Sequence, residues 1–117
     1  MDFEERRDIV YKILVIAKKE LLNPIQKNKI YNIVCNLKNS THLQIERLVL
    51  YYNLKDGEEK YRLCDLGRKY NCTGNAVKFS IARTKNRLIH IPDEDMLVIK
   101  NILEECVKEH NIVFEEQ

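Results

Sequence analysis

Apolar residues recur along most of this chain at helical rather than strand spacing. Between Asp2 and Leu22, the positions Phe3, Val10, Ile13, Leu14, Ala17 and Leu21 fall on one side of a helix and most charged residues on the other. That pattern predicts an amphipathic first helix, ended by Asn23-Pro24, whose proline is preorganised for the start of the next. Ile30, Ile33, Val34 and Leu37 repeat the spacing in a second helix over about 25–38, and Asn39-Ser40-Thr41 stops it and caps a third. The third, about 42–53, carries Leu43, Ile45, Leu48, Val49, Leu50, Tyr51 and Tyr52. So little polar face remains that burial on more than one side is expected.

Lys55-Asp56-Gly57-Glu58-Glu59 reads as a loop from its Asp-Gly pair and its charge. A short helix over about 62–70 follows, with Leu63, Leu66 and Tyr70 at core spacing and Gly67 allowing a close neighbour, and Asn71-Cys72-Thr73 forms a turn. Thr73 caps a longer helix to Leu88, in which Val77, Ile81, Thr84 and Leu88 form the inward face and the opposite face is basic. Ile91-Pro92 breaks that helix, and Asp93, Glu94 and Asp95 open a last one at its favourable dipole end, with Met96, Ile99, Leu103 and Val107 as its stripe. The expected fold is all-α with about six helices. It consists of a helix-turn-helix bundle at 40–110, an N-terminal helical extension at 1–39 for partner docking or dimerisation, and a tail at 111–117 that either frays or packs Ile112-Val113-Phe114 on the domain or on a partner.

Charge changes this picture. The chain of 117 residues has a formal net charge of only +2. From Lys60 to His90, however, eight basic residues face Asp65 alone, whereas the remainder holds twelve basic and seventeen acidic residues. A positive segment concentrated in an otherwise acidic chain points to a polyanionic partner.

Other chemistry is thin. Cys35, Cys64, Cys72 and Cys106 stand singly, and His42, His90 and His110 do not flank them at ligand spacing, so no metal is expected and reduced, mostly buried thiols are. No nucleophile has its base nearby in a recognisable pattern, no glycine loop would cradle a phosphate, and neither an enzyme nor a cofactor is expected. Lys12, Lys18 and Lys19 interrupt the first apolar stretch, which is unlike a signal peptide, and no run suits a membrane span; a cytoplasmic location is the expectation.

A short helix, a turn and a longer helix with a basic outer face describe a helix-turn-helix, whose second helix fits the DNA major groove by its width. On the exposed side near its start lie Gly74, Asn75, Lys78 and Phe79, then Arg83, and these are the candidate base contacts. Asn pairs bidentately with adenine, Lys donates to guanine, and Phe meets a thymine methyl. Arg68, Lys69, Thr73, Lys85 and Arg87 are the candidate phosphate contacts, which fix register without reading sequence.

The stretch Leu48-Val49-Leu50-Tyr51-Tyr52-Asn53-Leu54-Lys55-Asp56-Gly57-Glu58, then Leu63-Cys64-Asp65-Leu66-Gly67-Arg68-Lys69-Tyr70-Asn71-Cys72-Thr73, and Val77-Lys78 through Leu88-Ile89-His90, resembles region four of bacterial RNA polymerase sigma factors. That resemblance implies recognition of a minus-35 type promoter element, with other faces touching the polymerase flap. It places the family's base-reading positions on Gly74, Asn75, Lys78 and Phe79. Only Lys78 keeps the usual basic character, since the family commonly has Arg-Glu at the first two and often Gln where Phe79 stands. Val49 and Tyr51 lie where primary sigma factors often carry Arg, which implies that the third helix favours protein contact over phosphate.

The residues before the resemblance are too few for the region that grips the polymerase clamp, so a split sigma subunit or a sigma-like regulator, alone or as a homodimer, is expected rather than a whole sigma factor. The competing expectation is an interaction protein that docks on the polymerase flap or a second sigma-like subunit through Leu48, Val49, Tyr51 and Tyr52, without reading DNA.

Overall fold

Side-chain oxygens at the helix starts set the chain's punctuation. Asp2, Asn23, Thr41 and Thr73 each accept a hydrogen bond from the backbone N–H three residues on, so that four of the helix beginnings have an orphan donor satisfied. At Asn23 and Thr41 the partners Gln26 and Gln44 reach back to the capping residue's own N–H, completing capping boxes. The computed structural model describes residues 1–55 and 60–114. Among them it has six helices: α1 (Phe3–Lys18), α2 (Pro24–Cys35), α3 (His42–Tyr51), α4 (Leu63–Lys69), α5 (Gly74–Leu88) and α6 (Asp93–His110). The all-α fold expected from the periodicity is thus observed. Most of the loop expected at 55–59, and the tail beyond residue 114, lie outside the described residues.

The helices pack in two groups that share one core. α5 lies against α3 and α4, α1 lies along α6, and α2 bridges α3 and α6. Leu14 and Ile16 from α1, Ile30 from α2, Leu48 from α3, Leu66 from α4, Leu88 from α5 and Ile99 from α6 are all essentially inaccessible and belong to the same cluster. Segment 1–39 is therefore no appendage with a separate core; its apolar stripes complete the interior of 40–110. Two polar ties strengthen that union. Arg6 of α1 donates to the carbonyls of Ile89 and Ile91 and pairs with Asp93, clamping α1 to the α5–α6 junction. At the other end, Lys18 Nζ donates to the Tyr51 carbonyl at 2.6 Å and the Tyr61 carbonyl at 3.2 Å.

Several positions depart from expectation. Phe3, read as part of the first stripe, is exposed and stacks on His90 with ring centroids 5.9 Å apart. Only Cys106 is buried; Cys35, Cys64 and Cys72 are exposed free thiols. The four residues proposed as a docking face are also corrected. Leu48, Val49 and Tyr52 are buried in the chain's own core, and Tyr51 is half-buried edge-on against Tyr52. The apolar excess of α3 exists because α2, α4 and α5 surround it. After the last helix, Asn111 adopts a left-handed conformation, and Ile112 and Phe114 turn back against the core. Of the expectations for the tail, packing on the domain is thus the one observed for Ile112 and Phe114, while Val113 between them is exposed.

Candidate nucleic-acid interface

The turn between α4 and α5 is built by a complete Schellman arrangement. The Cys72 N–H bonds the Gly67 carbonyl at 2.8 Å and the Asn71 N–H bonds the Arg68 carbonyl at 3.3 Å, with Asn71 in the left-handed region at φ 55°. Asparagine tolerates that conformation better than most residues. Gly67 faces the inside of this turn, where a Cβ would stand 2.7 Å from the Cys72 carbonyl oxygen and 3.1 Å from the Gly74 nitrogen. The close approach expected at Gly67 is thus contact with the turn itself. Asp65 fixes the other end of α4 by accepting from the Arg62 guanidinium at 3.2 Å and the Arg62 N–H at 3.0 Å, and those bonds hold its carboxyl below the usual carboxylate range.

α5 is seated by Val77, Ser80, Ile81, Thr84 and Leu88, all buried. Thr84 Oγ1 donates to the Ser80 carbonyl at 3.0 Å, and Ser80 Oγ accepts from Arg47 Nη1 at 3.1 Å. Arg47 also lies 4.9 Å over the ring of Tyr70, whose phenol burial pushes up to about 12. One guanidinium of α3 thereby holds both α5 and the end of α4. Helical periodicity alone does not single out Arg47; a lone cation among the apolar residues of α3 is the signal that points to it.

With that face fixed, rotation by ~100° per residue sets the outer one. Asn75, Phe79, Ala82 and Asn86 run along its centre, with Lys78 on one flank and Arg83 on the other, and all six are exposed. Phe79 keeps 62% of its surface accessible. Among the described residues no carboxylate pairs with Lys78 or Arg83, and the first turn of α5 contains no acid. The positive end of the helix dipole therefore adds to the cationic side chains.

The remaining candidates divide. Gly74 does not join the outer face: its nearest neighbours are the backbone of Leu63 and Cys64, so it serves close packing of α5 on α4. Thr73 Oγ1 is engaged as the helix cap, accepting from the Ala76 N–H at 3.1 Å. Lys69 is exposed without an ion pair among the described residues, and Arg68 is exposed but lies 3.4 Å from Asp65. Arg87 turns back to Ser40 and Gln44, which removes it from the phosphate set. Lys85 lies over the rings of Tyr11 and Tyr52, at 4.7 and 5.7 Å from their centroids.

Comparison with known families, curated proteins and solved structures finds no match for the chain. The assembly of these residues can donate hydrogen bonds and positive charge to an extended anion along one side of α5. No helix among the described residues is long and apolar enough to cross a membrane.

Proposed function

We propose that this chain is a sequence-reading DNA-binding protein that lays α5 in the major groove, with the amino-terminal turns of that helix against the bases. The observation that carries this reading is the outer face of α5. It brings Asn75, Lys78, Phe79 and Arg83 to the surface of a helix locked from behind, with no acid to neutralise them among the described residues. Such a face costs nothing to desolvate in the way of broken ion pairs, and its amide, ammonium and ring match adenine, guanine and the thymine methyl. Lys69 and Lys85 supply phosphate contacts beside it.

The resemblance of Leu48–His90 to sigma region four supports a promoter element as the class of site and RNA polymerase as a second partner. With Leu48, Val49 and Tyr52 consumed internally, the rival reading of a docking protein that ignores DNA loses most of the third-helix surface named for it.

Selection of duplexes from a random pool, with and without RNA polymerase, tests the proposal. The expected result is enrichment of a defined sequence by the chain, with affinity falling steeply as salt rises because neutralised phosphates release counterions. Retention of no duplex under either condition would refute it.

A further inference from the structure

Lys85 and Arg7 converge on one aromatic ring from different helices. The Arg7 guanidinium lies 5.1 Å and the Lys85 ammonium 4.7 Å from the centroid of Tyr11, which holds the two charges within about 10 Å of each other, a Debye length at 0.1 M salt. Neither has a carboxylate partner among the described residues. The nearest acid in sequence, Asp8, is taken by Lys12 at 2.9 Å. Tyr11 offers π-density to each, which offsets part of their repulsion. A pair of like charges held this close without a counter-charge is electrostatically incomplete, and an anion within reach of both would gain from each.

This pair is rigidly placed. Arg6 clamps the start of α1 to the α5–α6 junction and Lys18 clamps its end to Tyr51 and Tyr61, so α1, which carries Arg7 and Tyr11, is fixed at both ends relative to the helix-turn-helix. On α5 itself, Lys85 lies seven residues beyond Lys78, two turns further along the same flank. Lys78 and Lys85 thus share one flank of α5, and Arg7 of α1 adds a cation beside Lys85 across the Tyr11 ring.

We infer that Arg7 and Lys85 form a two-cation cradle for a phosphate of the DNA backbone, carrying the bound strand past α5 onto α1. The inference rests on the proposed DNA-binding reading and assigns a role in it to α1, which that reading leaves as scaffold. The chemistry sought is that of a phosphodiester, an anion with oxygens on more than one side, met by a guanidinium with several donors and by a mobile ammonium.

The test compares the whole chain with Arg7→Gln, Lys85→Gln and the double variant, using fluorescence anisotropy on the selected duplex over a range of salt. Far-ultraviolet circular dichroism and urea midpoints report folding, and Arg7 and Lys85 take no part in the buried core. The expected result is a loss of affinity of similar size on selected and scrambled duplexes. The dependence of log affinity on log salt becomes shallower by about 0.9 for each phosphate contact removed. Shortening the duplex from one end should erase the effect of Arg7→Gln once the phosphate it meets is gone. An unchanged salt slope in Arg7→Gln, with Lys78→Ala still weakening binding, would overturn the cradle alone. Absence of duplex binding by the unaltered chain would instead overturn the DNA-binding reading, and the cradle with it.

Discussion

Arg87 Nη1 donates to Gln44 Oε1 at 2.7 Å, and the same amide oxygen accepts the Thr41 N–H at 3.0 Å. The guanidinium near the end of α5 is thereby built into the capping box of α3, and Ser40 Oγ, 3.2 Å away, completes its coordination. Arg87→Ala should therefore act on stability, at about 1–3 kcal/mol for a partly buried hydrogen bond to a charged group. Urea unfolding measures that loss. The salt slope of DNA binding, read at a temperature where the variant remains folded, should not change. A slope shallower by about one with stability intact would return Arg87 to the phosphate backbone.

Gly67 is the least replaceable residue of the turn. Alanine there would press its methyl against the Cys72 carbonyl and the Thr73–Gly74 backbone, none of which is the free end of a flexible side chain. Gly67→Ala should destabilise the chain by about 1–3 kcal/mol, the usual range for forcing extra volume into close packing. At low temperature, where the variant folds, its affinity for DNA should also fall, because the relation between α4 and α5 must shift. A thermal unfolding scan that places the variant level with the parent would contradict this account of the turn.

Helices with a local signature were legible from residues alone. The Thr73 cap, the Val77–Leu88 stripe and the acidic start of α6 needed only neighbours in sequence, and each helix lies within a few residues of its expected range. What α1 and α3 touch was not legible, since periodicity says which side of a helix is buried but not which neighbour buries it. Leu48 and Val49 therefore resembled a docking surface until α2 and α5 were seen to cover them. The same limit applies to the candidate interface. Asn75, Lys78, Phe79 and Arg83 were found by rotation about one axis, whereas Arg87 and Gly74 were misplaced because their partners, Gln44 and Leu63, come from other elements. Phe3 failed for a different reason: it sits in the first turn of α1, beyond the reach of the core, and finds the ring of His90 instead.

Tyr52 gives the fold a sensitivity at alkaline pH. Burial, then the neighbouring Tyr51 and Tyr11, raises its phenol from the usual 10 to about 12. The folded chain therefore keeps a proton that the unfolded chain releases near pH 10. Stability should be flat in this respect below pH 10 and fall as pH rises from 10 towards 12, since the unfolded state binds fewer protons across that window. Urea midpoints between pH 9 and 11.5 check it, and Tyr52→Phe should flatten the decline. An equally steep decline in the phenylalanine variant would assign the effect to other groups, of which Tyr70, also raised to about 12, is the first to examine.

Lys78 separates base reading from simple attraction. It stands one turn into α5, beside Asn75 and Phe79, where a recognition helix reaches base edges, while no carboxylate holds it among the described residues. A lysine that donates to guanine loses its bond only when the correct base is present, so Lys78→Ala should weaken binding to the selected duplex by about 1–3 kcal/mol and to a scrambled duplex by much less. Asn75→Ala should behave alike at a different base pair, relaxing a preference for adenine. Reselecting from the random pool with each variant identifies the position affected. Uniform losses on every sequence, with a salt slope shallower by about one, would place the Lys78 ammonium on a phosphate and leave Asn75 and Phe79 to carry the discrimination.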